Sequence, residues 1–105
     1  MKEKTVLELK QMIDSGEDFQ LIDVREEYEF DSGNINGELI PLATIMDNTD
    51  KISRDKPVVI HCKAGSRSAT AVKALEHNFG LSNLYNLKGG LVAWKKEIDP
   101  TIDVI

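Results

Sequence analysis

The stretch Val58–Ala69, VVIHCKAGSRSA, decides how the chain is read. An apolar run ends abruptly at Cys62, the only cysteine, and a helix-like pattern begins a few residues later. Such an unbroken run, preceded by Pro57, suits a strand buried on both faces of a parallel sheet. From Ser66 onward, Ala69, Val72, Leu75 and Phe79 form one helical stripe, with Gly80 as its left-handed stop. The stretch is therefore strand, tight loop and helix, with the thiol at the strand's carboxyl end.

The same alternation continues on both sides. Upstream, Thr5 and Glu8 fit a capping box, followed by Val6, Leu9 and Ile13 at helical spacing and Gly16 as the stop. Phe19–Val24 (FQLIDV) is a short buried strand, and REEYEFDSG gives one or two helical turns ending at Gly33. Leu39-Ile40 is a second short strand closed by Pro41, PLATIM a turn of helix, and DNTDKISRDK a solvated loop or frayed helix. Downstream, LYNL is another strand, and GGLVAWKKEI opens with two glycines and carries Leu91, Trp94 and Ile98 at helical spacing. Strands alternating with helices imply an α/β sheet covered by helices on both faces. No repeat or linker divides the 105 residues, so residues 1–105 form one domain with a single core.

Composition excludes several classes of function. With 41% hydrophobic and 30% charged residues, the chain is an ordinary globular protein. A net charge of -5 and the lack of a basic stripe argue against nucleic acid. No apolar run approaches the roughly 20 residues of a membrane span. MKEKTVLELK lacks a signal peptide's apolar core, so a cytoplasmic location with no membrane contact is expected. One cysteine forms no internal disulfide, and with two histidines it makes no structural zinc set. No metal and no cofactor is expected.

A lone cysteine is most often an inert core residue. The neighbours of Cys62 argue otherwise. In open parallel sheets, ligands bind beyond the carboxyl ends of the strands. With a helix starting near Ser66, the intervening amides lack intrahelical acceptors, and the helix dipole adds partial positive charge. Gly65 lets the loop curl around its own first residue, and Lys63 and Arg67 add cations. Helix N-termini and nearby cations favour thiolate. Cys62 thus reads as a nucleophile in an anion pocket formed by Lys63, Ala64, Gly65, Ser66 and Arg67.

CKAGSRS, residues 62–68, resembles the active-site loop of rhodanese-like sulfurtransferases, and the resemblance extends over nearly the whole chain. LIDVREEYEF is similar to that family's Asp-Val-Arg signature at Asp23, Val24 and Arg25. GNINGELIPL is similar to its Gly-His-Ile-x-Gly-Ala-x-x-Ile-Pro segment, and GGLVAWKKEIDP to its Gly-Gly-x-x-x-Trp ending. Asn34 stands where the family often has histidine and Glu38 where it often has alanine; neither position carries the nucleophile. HCKAGSRSA with GGLVAWKKEIDP looks most like the C-terminal rhodanese domain of MoeB/ThiF-type adenylyltransferase-sulfurtransferases.

The resemblance implies a rhodanese-like α/β fold, a central, mostly parallel five-stranded sheet with helices on both faces. It implies that Cys62 takes sulfane sulfur from a small donor, thiosulfate or a persulfide, and passes it to a thiol, cyanide or protein acceptor. The partners implied are a ubiquitin-like sulfur-carrier protein or a cysteine desulfurase, in molybdopterin or thiamine biosynthesis or tRNA thiolation. The chain carries no adenylation domain, so it reads as a free-standing relative or an excised fragment.

The remaining residues have plainer readings. Asp23 and Arg25 end a strand at the same mouth, where an ion pair fixing adjacent loops is expected, with Arg25 the one to meet a substrate. Gly89 and Gly90 permit a tight turn near the active loop. His61 faces away from the thiol as a packing residue, since strand side chains alternate. Trp94 and Tyr28 are core or rim aromatics, His77 is solvated, and Glu26, Glu27 and Glu29 are a solvated helical face. Two competing functions stay open. Phosphatases and arsenate reductases of the same fold place five residues between cysteine and arginine, whereas KAGS supplies four here. A rhodanese-like binding module without chemistry is the other.

Overall fold

Val58–His61 forms β4, and all four residues are buried because strands flank it on both sides. The computed structural model describes residues 1–105. Its elements in chain order are β1 (Glu3–Lys4), α1 (Val6–Asp14), β2 (Gln20–Asp23), α2 (Glu27–Ser32) and β3 (Glu38–Leu39). Two 3₁₀ turns follow, Leu42–Asp47 and Thr49–Lys51, then β4, α3 (Ser66–Phe79), β5 (Leu84–Leu87) and α4 (Gly90–Glu97). The five strands lie in the order β1-β5-β4-β2-β3. Every pairing is parallel, so the carboxyl ends of all strands share one edge.

Alternation along β4 divides the core. Val58 and Ile60, with Cys62 just past the strand, pack beneath α3 against Val72 and Leu75. Val59 faces the other way, toward Leu9 of α1 and Leu91 and Trp94 of α4. The sheet is thus sandwiched between helices, as the alternating pattern requires. No helix is long and apolar enough to cross a membrane.

The capping box of α1 forms in full: Glu8 N–H donates to Thr5 Oγ1 at 3.1 Å, and Thr5 N–H to Glu8 Oε1 at 2.9 Å. The buried stripe of α1 is Val6, Leu9 and Met12, while Ile13 is exposed. That of α3 is Ser68, Ala71, Val72 and Leu75, with Ala69 and Phe79 only half-buried. In both helices a polar or flexible residue beside the expected apolar one faces the sheet. β1 is an addition to the sequence reading. Its two residues carry no apolar run, and it exists through backbone pairing of Glu3 and Lys4 with Asn86 and Leu87 of β5.

Candidate active site

The loop after β4 is held from behind by α4. Leu91 N–H donates to Cys62 O at 3.1 Å and Val92 N–H to Lys63 O at 2.9 Å. These are amides of the first turn of α4, which otherwise lack acceptors. Gly90 makes the approach feasible: with φ at +56°, a Cβ there would stand 2.6 Å from Lys63 O and 2.7 Å from Cys62 O. The expected role of Gly89 and Gly90 as a tight turn against the loop is what the geometry contains.

On the front side, Gly65 takes φ +111° and precedes α3, turning the loop back over its first residue. Gly65 N–H reaches Cys62 Sγ at 3.1 Å and Ser68 N–H at 3.4 Å, while Ser68 Oγ lies 3.3 Å away. Cys62 is 1% exposed, so the thiol forms the floor of the loop, yet the amides turn toward it. Burial pushes the thiol up, but hydrogen bonds from Ser68, Gly65 and Ala64 outweigh it and hold the pKa below its ordinary value. An inert core thiol sits among apolar neighbours, whereas here two amides and a hydroxyl converge on one buried sulfur. Lys63, Ala64 and Ser66 carry their side chains outward around this floor.

Arg67 departs from expectation. Its guanidinium, 35% exposed, makes a two-pronged contact with Glu29 of α2, Nη1 to Oε1 at 2.6 Å and Nη2 to Oε2 at 2.8 Å. Its charge is therefore matched within the protein rather than offered whole to a bound anion. Arg67 hydrogen bonds pull the Glu29 carboxyl down to about 2, against the opposing effect of burial, and raise the Arg67 pKa in return. Glu29 is buried, which corrects the reading of Glu26, Glu27 and Glu29 as one solvated face.

Arg25 is the clearest correction. It was expected to meet substrate, but it is 0% exposed. Nε and Nη2 grip Asp23 at 2.9 to 3.1 Å, Nη1 donates to Glu29 O at 3.3 Å and Nη2 to Gly33 O at 2.8 Å. Each nitrogen of the guanidinium fork helps pin α2 and the residue that ends it to the end of β2, and the side chain is sealed from any ligand by its burial. Asp23 is the structural partner expected. His61 is buried on the face opposite Cys62, with Nδ1 3.4 Å from Cys62 O and Nε2 3.7 Å from Asp23 Oδ2. Burial lowers its pKa, so the imidazole is neutral and acts in packing.

Three contributors escaped the sequence reading: Ser68, Asn86 and Glu29. Ser68 and Asn86 were legible in principle. Each is a polar residue set into a buried pattern, one on the inner stripe of α3 and one inside LYNL. Such residues are retained where their hydrogen bonds are needed. Glu29 carries no such mark, because Arg67 is distant from it in sequence.

Comparison with known proteins agrees with this geometry. Residues 5–97 match the family described as "Rhodanese-like domain". The chain is 40% identical over 99 residues to "Probable adenylyltransferase/sulfurtransferase MoeZ" of Mycobacterium tuberculosis, covering 91% of this chain and 25% of that protein. It thus spans about a quarter of that relative's length. It is 34% identical over 95 residues to a sulfurtransferase of Allochromatium vinosum, covering 90% of this chain and 88% of that one. Among solved structures, a rhodanese-like domain protein from Staphylococcus aureus superposes with a TM-score of 0.84 at 36% identity, covering 100% of this chain and 99% of that one.

Proposed function

The chain belongs to the rhodanese-like sulfurtransferase family, and from that premise we propose that it carries sulfane sulfur as a persulfide on Cys62. The observation that supports this most is the convergence of the Gly65 amide and the Ser68 amide and hydroxyl on one sulfur atom at the carboxyl end of β4. Donors aimed at a single atom favour negative charge on it at the two points of a covalent cycle where Cys62 is thiolate, before the donor is attacked and after the acceptor has taken the outer sulfur.

In the first step the Cys62 thiolate attacks the outer sulfur of thiosulfate or a persulfide. With thiosulfate, the sulfur–sulfur bond breaks and sulfite leaves with its electron pair, giving Cys62-S-S⁻. In the second step an acceptor, cyanide or a thiolate, attacks the outer sulfur, and Cys62 departs as thiolate. No electrons are gained or lost overall. Lys63 at the rim supplies the unpaired cation that draws the donor in. Arg67, tied to Glu29, fixes the first turn of α3. No second cysteine resolves the persulfide within the chain, so the acceptor comes from outside. A protein thiol fits that role, and the persulfide of a cysteine desulfurase fits that of donor.

The test is intact mass after incubation with thiosulfate or with a persulfide donor. The expected result is a gain of one sulfur atom that cyanide removes as thiocyanate and that Cys62→Ser abolishes. Unmodified protein after both donors would refute the mechanism. Hydrolysis of a phosphotyrosine mimic in its place would indicate the phosphatase chemistry.

A further inference from the structure

Three polar groups meet behind the thiol. Ser68 Oγ lies 2.5 Å from Asn86 Oδ1, 3.2 Å from Gly65 O and 3.3 Å from Cys62 Sγ. Ser68 is fully buried, which keeps bulk water out of the exchange. A serine hydroxyl has one proton to give and two lone pairs to receive with. Only one of the three neighbours holds that proton at a time, and the shortest contact, to Asn86, claims it. The opposite end of Asn86 fixes its orientation: Nδ2 donates to Gly65 O at 3.2 Å, which leaves Oδ1 facing Ser68.

With its proton on Asn86, Ser68 turns a lone pair toward Cys62. That arrangement suits an S–H group, which has a proton to donate. A thiolate has none, and it gains from Ser68 only when the hydroxyl rotates from Asn86 toward sulfur. The Gly65 and Ser68 amides are fixed donors in both states. The hydroxyl is the movable one.

Building on the reading of Cys62 as the sulfur-carrying nucleophile, we propose that Asn86 is a positioning residue that holds the Ser68 hydroxyl proton while Sγ is uncharged and yields it when Sγ becomes thiolate. Sγ is uncharged in the resting thiol and as the inner sulfur of the persulfide, whose charge lies on the outer atom. It is a thiolate just before the donor is attacked and just after the acceptor has taken the outer sulfur. The Ser68 proton stays bonded to Oγ throughout and only its acceptor changes, so no co-reactant is needed. Asn86 therefore competes with the thiolate for one hydrogen bond and keeps the thiol pKa higher than Ser68 alone would set it. The charged and titratable groups near Cys62 are Lys63 on the loop, Arg67 of α3 with Glu29 of α2, and His61 of β4. None of them is altered in the variants that follow.

Because the chain has one cysteine, the ultraviolet absorbance of thiolate reports this group once the phenolate of the two tyrosines is subtracted through its own longer-wavelength band. Titration of the wild type, Asn86→Ala, Ser68→Ala and the double variant tests the coupling. Asn86→Ala is expected to lower the Cys62 pKa by about one unit, a tenfold change in the thiolate ratio. Ser68→Ala is expected to raise it, and adding Asn86→Ala to that background should then change nothing. A rise or no change in Asn86→Ala overturns the proposal, as does an equal drop in both backgrounds. A second measurement needs no variant: the side-chain amide resonances of Asn86 in the wild type should move through the Cys62 titration. Resonances that stay fixed overturn it equally. No sulfur donor is present in either experiment, so its outcome is separate from that of the persulfide mass test.

Discussion

Glu29 shows how one side chain changes the meaning of another. Paired with Arg67, it converts what would be a free cation beside Cys62 into a strut between α2 and α3. The folded-state pKa of about 2 lies below the usual 4.5, so the pair's contribution is fully present above about pH 4.5. It is lost as pH falls from there toward 2. Glu29→Gln is expected to cost about 1–2 kcal/mol at neutral pH, discounted for the partial exposure of Arg67. Urea denaturation at a series of pH values checks this, and the gap between the two proteins should close at the acid end. A gap that persists unchanged there would mean that the ion pair is not its source. Cys62, its glycine and the cations were legible in sequence because they are neighbours in the chain. The pairing of Glu29 with Arg67 was not, since the fold alone brings them together; the partners of Arg25 are near it in sequence, and what stayed hidden was its complete burial.

Among the elements, α4 does more for the site than its distance in sequence suggests. Its first amides hold the carbonyls of Cys62 and Lys63, and the close packing at Gly90 leaves no room for a side chain. Gly90→Ala adds a left-handed strain and a backbone collision, together expected to cost about 2–4 kcal/mol. It should also slow sulfur loading of Cys62, because the loop must shift to relieve the clash. Chemical denaturation and the rate of adduct formation measure the two effects, and wild-type loading in the Gly90→Ala variant would separate α4 from the site. The helices and the longer strands were readable from periodicity, and Gly-Gly before an apolar stripe announced this turn. β1 was not readable, being two charged residues recruited by the open edge of β5. The exact inner faces of α1 and α3 were also missed, because Met12 and Ser68 compete with adjacent apolar residues for the same direction.

At the scale of the molecule, one sheet separates two layers of packing, and each layer contains a unique reporter. Trp94, the only tryptophan, sits with Leu9 and Leu91 on one side; Cys62 sits with Ile60 and Val72 on the other. β4 contributes to both layers through successive residues, so neither can come apart while the other stays intact. Urea midpoints from Trp94 fluorescence and from labelling of Cys62 by a bulky thiol reagent should therefore coincide. Separated midpoints would show that the faces unfold independently. The parallel sheet itself was predictable from the buried run at Val58–His61, whereas the strand order depends on which edges remain open and is written nowhere locally. The cradle around the sulfur is made largely of main chain, and Lys63, Ala64 and Ser66 point away from it. On the proposed sulfur-carrying reading, those three positions are a palette laid over a fixed mould: exchanging their side chains would retune the choice of donor and leave the main-chain cradle as it stands.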